Sequence, residues 1–269
     1  MAVLVVIPAR YASTRYPGKP LVELAGATGE RRSLIRRSWE AARSVAGAGR
    51  VDHVIVATDD ERIAEAARGF GAEVAMTPDT CRNGTERCAL VARDLAGADD
   101  IVVNLQGDAP LTPPWFVEAL VEAMRADPAS LVATPVLRCD AETLAGFLED
   151  RRNGRVGATT AVFDRAGRAL YFSKEVIPYT GRALGPEEEI PVFHHVGVYA
   201  YRRAALDPYP EWPMGPLETW EGLEQLRFME SGVPVRCVEV EALGRAFWEL
   251  NNPTDVPRIE AILARLGLP

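Results

Sequence analysis

Val3-Leu4-Val5-Val6-Ile7-Pro8-Ala9-Arg10, followed by Tyr11-Ala12-Ser13-Thr14-Arg15-Tyr16-Pro17-Gly18-Lys19-Pro20, combines an apolar run with a cationic loop. The run from Val3 to Ile7 predicts a strand buried on both faces. The loop places Arg10, Arg15 and Lys19 close together, with Ser13, Thr14 and Gly18 between them. Such cations repel one another unless an anion sits among them. At the C-terminal end of a first parallel strand that anion is commonly a ligand phosphate. The alternative is a surface turn whose cations are solvated.

The commonest phosphate loops are absent. No GxGxxG follows the first strand, so a dinucleotide site lacks its tight turn, and no GxxxxGK[ST] occurs. Arg10 and Arg15 can offer forked donors to phosphate oxygens, and Lys19 a point charge. Ser13 and Thr14 can cradle an oxyanion with their backbone N–H groups. These features point to a nucleoside triphosphate.

Outward from this loop the chain alternates strands and helices. Val51–Ala57, Glu73–Met76, Asp100–Gln106 and Leu131–Val136 are predicted strands. Helices are expected from Ser33, with that residue as N-cap, and over Glu61–Gly69, Glu86–Leu95 and Trp115–Arg125. This order implies parallel βαβ units and an α/β fold with a mostly parallel sheet flanked by helices. Ala27–Arg32 is expected to be a polar connection. After residue 139 the rhythm changes: Asp140–Asp150 is a short helix, Gly157–Phe163 and Ala169–Phe172 are β-like, and Phe193–Tyr201 is one strand. Leu217–Ser231 and Pro253–Leu266 are expected helices, with the strand Val235–Val240 between them. We therefore expect one domain over 1–269, with a β-rich excursion at 140–200.

Composition narrows the function. The 269 residues carry a net charge of −8, which argues against a general nucleic-acid binder and sets the cationic loop apart. Cys81, Cys88, Cys139 and Cys237 form no CxxC pair, so a reducing cytoplasm is expected, without disulfides or zinc. No apolar run approaches the ~18 residues of a membrane span, and no signal-peptide pattern is present.

The segment IPARYASTRYPGKPL resembles the N-terminal signature of the 3-deoxy-manno-octulosonate (Kdo) cytidylyltransferases. The likeness continues through VATDDERIAEAARGFGAEVAMT, NGTER, VVNLQGDAPL, LYFSKEVIP, HHVGVYAYR and LEQLRFMESG, in the family's order and over most of the chain. It implies a Rossmann-like fold of the nucleotide-diphospho-sugar transferase type and a reaction in which CTP and Kdo give CMP-Kdo and pyrophosphate. It implies Mg²⁺ as cofactor, CTP and a 2-keto-3-deoxy sugar acid as partners, and a homodimer formed through the excursion. Lipopolysaccharide or capsule synthesis would use the product.

By matching positions, Arg10, Ser13, Arg15 and Lys19 would contact the triphosphate, with Arg15 and Lys19 neutralising the leaving pyrophosphate. Asn83, Gly84 and Thr85 would form the turn beside the nucleotide, and Gln106 would lie against its sugar. Without the resemblance, Thr85 is simply a helix N-cap. Asp108 would hold the metal. A second metal-binding aspartate is usual before the last helix, yet Asn251 stands there. Weaker metal binding, rescue by Asp255 or Glu249, and a shifted role are the three possibilities. On the acceptor side, Lys174 stands where Arg is more usual, His195 would hydrogen-bond the sugar acid, and Glu224 and Gln225, on one helix, would hold its hydroxyls. Rival functions are a CMP-nonulosonate synthetase, another sugar nucleotidyltransferase, or a catalytically dead nucleotide-binding homologue.

Overall fold

A computed structural model describes residues 1–13, 16–46, 51–156, 158–182, 188–245 and 248–269. Arg15, expected at the triphosphate, lies outside the described residues, as does Thr14.

The chain opens with β1 (Val3–Ala9), whose seven residues are all buried. A tight hairpin of β2 (Glu23–Ala25) and β3 (Arg31–Ser33) follows. The expected polar connection thus ends in a strand, because Arg31–Ser33 pairs back onto Glu23–Ala25. Helix α1 (Leu34–Ala46) comes next, and the Arg36 N–H reaches Ser33 Oγ at 3.4 Å. Then come β4 (His53–Thr58), α2 (Glu61–Gly69) and β5 (Glu73–Met76). Asp60 caps α2 by accepting the Arg62 N–H at 3.0 Å.

Helix α3 (Gly84–Leu95) leads into β6 (Ile101–Leu105), and α4 (Pro114–Ala126) into β7 (Val132–Arg138). The chain continues with α5 (Ala141–Arg152), β8 (Thr159–Phe163), β9 (Ala169–Ser173), β10 (Phe193–His195) and β11 (Val198–Tyr201). The single strand expected over 193–201 is broken at Val196-Gly197. Its first half pairs β7 and β8; its second half lies between β6 and β7. The last elements are α6 (Arg203–Leu206), α7 (Pro216–Glu221), α8 (Leu226–Glu230), β12 (Val235–Glu239) and α9 (Val256–Arg265).

The helix expected over Leu217–Ser231 is two helices. Gly222 adopts a left-handed conformation (φ 61°) that ends α7, and the chain restarts at Leu226. Glu224 and Gln225 therefore sit in the break, not on a common helix.

One sheet has the order β5-β4-β1-β6-β11-β7-β10-β8-β9, with β12 alongside β7. Strands β5, β4, β1 and β6 are mutually parallel, as are β7 and β12; β11 is antiparallel between β6 and β7. From β1 the sheet adds β4 and then β5 outward on one side, and the chain returns to the other side of β1 with β6, while β2 and β3 form a separate two-stranded sheet. Alternation along β1 feeds two cores. Val3, Val5 and Ile7 pack with Ile35 of α1 and Phe116 and Leu120 of α4, while Leu4 and Val6 pack with Cys88, Ala89 and Ala92 of α3. Helices on both faces and a reversal of strand order at β1 leave a crevice beyond the C-terminal ends of β1 and β6, where ligands of open α/β sheets bind.

Candidate active site

The crevice is a cleft of about 300 Å³, lined by Pro8, Ala9, Arg10, Ser13, Lys19 and Pro20 from the first loop, by residues 81–84 and Arg87, and by Gln106, Gly107 and Asp108. Sequence motifs separated by some 70 and 90 positions thus meet at one place.

The first loop is closed by its own backbone. The Tyr11 carbonyl accepts from Ser13 N–H at 2.8 Å and Gly18 N–H at 2.9 Å. Gly18 is left-handed (φ 72°), and a Cβ there would stand 3.1 Å from the Tyr11 ring, so any other residue would be strained and crowded. This return places Lys19 across the cleft mouth, where its Nζ meets Asp108 Oδ2 at 2.6 Å. Arg10 is exposed and has no carboxylate partner among the described residues. Its guanidinium remains available to an anion.

Asp108 owes its position to Gly107. A Cβ on Gly107 would lie 2.7 Å from the Pro8 carbonyl oxygen. The turn from β6 can therefore run against β1 only with glycine there. The Asp108 carbonyl accepts the Leu250 N–H at 2.9 Å. That bond ties residues 249–251 to the end of β6 and brings Asn251 to the neighbourhood of Asp108. Asp255 is committed elsewhere: Oδ2 accepts from Asn251 N–H (2.9 Å) and Asn252 N–H (2.7 Å), and Oδ1 from Trp248 Nε1–H (3.2 Å). It braces the turn before α9. Glu249 instead touches the Asn251 side chain, accepting from Nδ2 at 3.4 Å.

The turn opening α3 is capped by Asn83, whose Oδ1 accepts the Glu86 N–H at 2.9 Å. Thr85 is not the cap. It is the second residue of the helix, fully buried, with Oγ1 3.1 Å from the Tyr201 hydroxyl and its N–H donating to Glu224 Oε2 at 3.2 Å. Gly84 faces the floor: a Cβ there would be 3.1 Å from Pro8 and 3.5 Å from Gln106 Nε2. The missing side chain lets the start of α3 pack closely against Pro8 and Gln106.

The acceptor candidates form a second group beside this cleft. Gln106 Nε2 donates to Glu224 Oε1 at 3.4 Å. Gln225 is buried, and its Oε1 accepts the Tyr199 hydroxyl at 3.1 Å. Its Nε2 is buried without a partner among the described residues. The His195 ring lies between Phe172 and Tyr199, with Nε2 3.0 Å from Thr134 Oγ1. Burial pushes the His195 ring down to about 3, so it is neutral near pH 7. It can exchange hydrogen bonds but carries no charge. The Lys174 N–H donates to Glu221 Oε2 at 2.8 Å, and its Nζ lies over Gly222.

Sequence reasoning did not single out Cys81, Arg82 or Arg87 as site residues. Arg82 Nε binds Glu86 Oε1 at 2.6 Å, and Arg87, buried, binds Asp59 at 2.8 Å and also Thr77. The signal for Arg87 was its place in the NGTER segment. Cys81 carries no such mark, and burial raises its thiol above the ordinary value. Among the described residues no helix is long and apolar enough to cross a membrane.

Comparison with known proteins gives concordant findings. A family model described as cytidylyltransferase matches residues 4–251. The chain is 45% identical over 267 residues to the 3-deoxy-manno-octulosonate cytidylyltransferase of Maricaulis maris, covering 99% of each. It is 38% identical over 258 residues to the mitochondrial 3-deoxy-manno-octulosonate cytidylyltransferase of Arabidopsis thaliana, covering 96% of this chain and 82% of that one. Its fold matches a solved CMP:2-keto-3-deoxy-manno-octonic acid synthetase complexed with CTP. The TM-score is 0.83 at 35% identity, over 99% of this chain and all of the other.

Proposed function

Because the chain belongs to the 3-deoxy-manno-octulosonate cytidylyltransferase family, we propose that it transfers CMP from CTP to Kdo and releases pyrophosphate. The observation that carries this reading is the meeting of Arg10, Lys19, Asn83, Gly84, Gln106 and Asp108 in one cleft, in a chain that resembles these enzymes over nearly its whole length.

The anomeric hydroxyl oxygen of the sugar acid forms a bond to the α-phosphorus. The bond from that phosphorus to the bridging oxygen breaks, pyrophosphate leaves, and the hydroxyl proton passes to solvent. Positioning and charge stabilisation carry such a transfer. Arg10, Ser13, Arg15 and Lys19 would hold the triphosphate, the latter two facing the leaving group. Asn83 and Gly84 would seat the base, and Gln106 the ribose. Thr85 supports that turn from behind. Lys174, His195, Glu224 and Gln225 are the candidates for the acceptor side. His195, being neutral, would orient a hydroxyl or carboxylate; it is not needed as a base.

The donor set fits Mg²⁺, which takes one or two carboxylates together with phosphate oxygens and water. Asp108 and the Asn251 amide oxygen would hold it, with Glu249 in contact with Asn251. When bound, the ion would supply positive charge to the phosphate oxygens. The Lys19 ammonium contacts Asp108 Oδ2 at 2.6 Å.

We further read the protein as a cytoplasmic homodimer whose contacts come from 140–200 and whose product feeds lipopolysaccharide or capsule synthesis. The exposed Leu170 of β9 and Tyr179 support an interface there. A sedimentation measurement tests the dimer.

Pyrophosphate release with CTP and a panel of 2-keto sugar acids tests the reaction. Turnover with Kdo is expected. Turnover with a nine-carbon acid but not Kdo would assign the chain to a sister activity. CTP binding without turnover on any acid would favour a dead homologue, the second reading that Asn251 raises.

A further inference from the structure

Lys174 stands in the turn that follows β9, and that turn is gripped from two sides. From β8, Thr160 Oγ1 donates to the Glu175 carbonyl at 2.7 Å and accepts the Ile177 N–H at 3.2 Å. From the last residue of α7, Glu221 accepts three bonds. Its Oε2 takes the Lys174 N–H at 2.8 Å; its Oε1 takes the Ser173 hydroxyl at 2.6 Å and the Tyr171 hydroxyl at 3.4 Å. Ser173 Oγ in turn accepts the Glu175 N–H at 3.0 Å. The next residue, Gly222, lies under the Lys174 side chain: a Cβ there would stand 3.0 Å from Nζ. One short segment, 221–222, thus fixes the backbone of Lys174 and leaves room for its ammonium.

We infer that Glu221 is a positioning residue for the sugar acid: by holding the Ser173–Lys174 backbone it aims the Lys174 ammonium at the acid's carboxylate, without touching the acceptor itself. A lysine is a point charge on a flexible stem and makes no forked contact. Its aim therefore depends on a fixed backbone beneath it and on the space over Gly222. Glu221 supplies the first through charge-assisted bonds, which are stronger than neutral ones. A second carboxylate facing the sugar acid would repel it. The oxygens of Glu221 are instead taken up by Tyr171, Ser173 and Lys174, all from the β9 side. The break that begins at Gly222 also carries Glu224 and Gln225, so the clamp on Lys174 and the other acceptor candidates belong to one stretch of chain.

The inference rests on the cytidylyltransferase reading, and the experiment separates the two. The Michaelis constant for Kdo is measured at saturating CTP for the wild-type chain, Glu221→Gln, Lys174→Met and the double variant. CTP is titrated calorimetrically into each without acceptor. Glu221→Gln keeps the shape but replaces one accepting oxygen with a donor. It should raise the Kdo constant roughly tenfold, as expected for losing a hydrogen bond to a charged group, with CTP affinity unchanged. Lys174→Met should raise the Kdo constant at least as much. The double variant should be no worse than Lys174→Met, because Glu221 acts through that side chain. A residue that only supports the fold would add its effect to that of Lys174→Met and would weaken CTP as well. Ser173→Ala, which removes one donor and keeps the carboxylate, should move the Kdo constant in the same direction, and it carries the same test if thermal melting shows Glu221→Gln unfolded. An unchanged Kdo constant in these variants, or additive effects in the double variant, would overturn the inference. Failure of the wild-type chain to bind CTP or to turn over Kdo would overturn the functional reading itself.

Discussion

Asp108 is held in place by three neighbours: the close approach of Gly107 to Pro8, the Leu250 N–H on its carbonyl, and the Lys19 ammonium on its carboxylate. It is the only carboxylate lining the cleft among the described residues. Asp108→Ala should therefore cut pyrophosphate release about 10²-fold or more, leaving Lys19 without its partner. Near-normal rates at limiting Mg²⁺ would contradict its place at the metal. Asn251 presents the opposite case, a neutral amide where a charge is usual. Affinity for a hard cation rises with the number of charged ligands. Asn251→Asp should tighten Mn²⁺ roughly tenfold in an electron paramagnetic resonance titration, a signal independent of turnover. An unchanged titration would mean that residue 251 faces away from the ion. The sequence marked residue 251 as unusual but could not choose among its rescuers. The choice depends on Asp255 turning back to brace its own loop, a tertiary fact with no local signature.

The regular elements were legible because their signals are local. The apolar run of β1, the Asp60 cap before α2 and the proline at the head of α4 each announce themselves within a few residues. The departures all come from distant partners. Residues 31–33 become a strand because 23–25 offers an edge, and 217–231 breaks because Gly222 and a buried ionic cluster outweigh helical propensity. That cluster is centred on Arg227, which is 1% exposed and bonded to Glu218 at 2.6 and 2.7 Å and to Glu86 at 3.1 Å. It pins α8 to α7 and to α3. Removing one member of a buried ionic group leaves its partners unpaired, at a cost of about 3–5 kcal/mol. Arg227→Met should lose stability of that order in urea unfolding. Adding Glu218→Gln should recover part of it. A double variant no better than the single would show that the loss comes from packing and not from stranded charge.

At the scale of the whole molecule, the sheet continues unbroken from the nucleotide half into the antiparallel strands, and His195 sits at the junction, where β10 pairs with β7 and β8. Thr134, Phe172 and Tyr199 surround its ring, and His194 precedes it. Burial, the larger cause, and the neighbouring His194 lower its ring from 6.5 to about 3. The sign of the effect on stability follows. Below pH 6.5 the unfolded chain takes up a proton at this position while the folded chain does not, so unfolding becomes easier as pH falls. The stabilisation is complete above the unfolded value of 6.5 and is lost progressively as pH drops toward 3. The loss approaches about 1.4 kcal/mol per pH unit within that window. Other groups titrate there too, so the comparison needs a variant that cannot take up the proton. His195→Asn should lower stability at pH 7.5 through lost packing, but the gap to wild type should narrow as unfolding is repeated at pH 6.5, 6.0 and 5.5. Because β10 cannot leave β7 and β8 without opening the sheet, the narrowing should appear in the global transition and not in a separate early phase. A gap that stays constant with pH would mean that the ring is already solvated in the folded state.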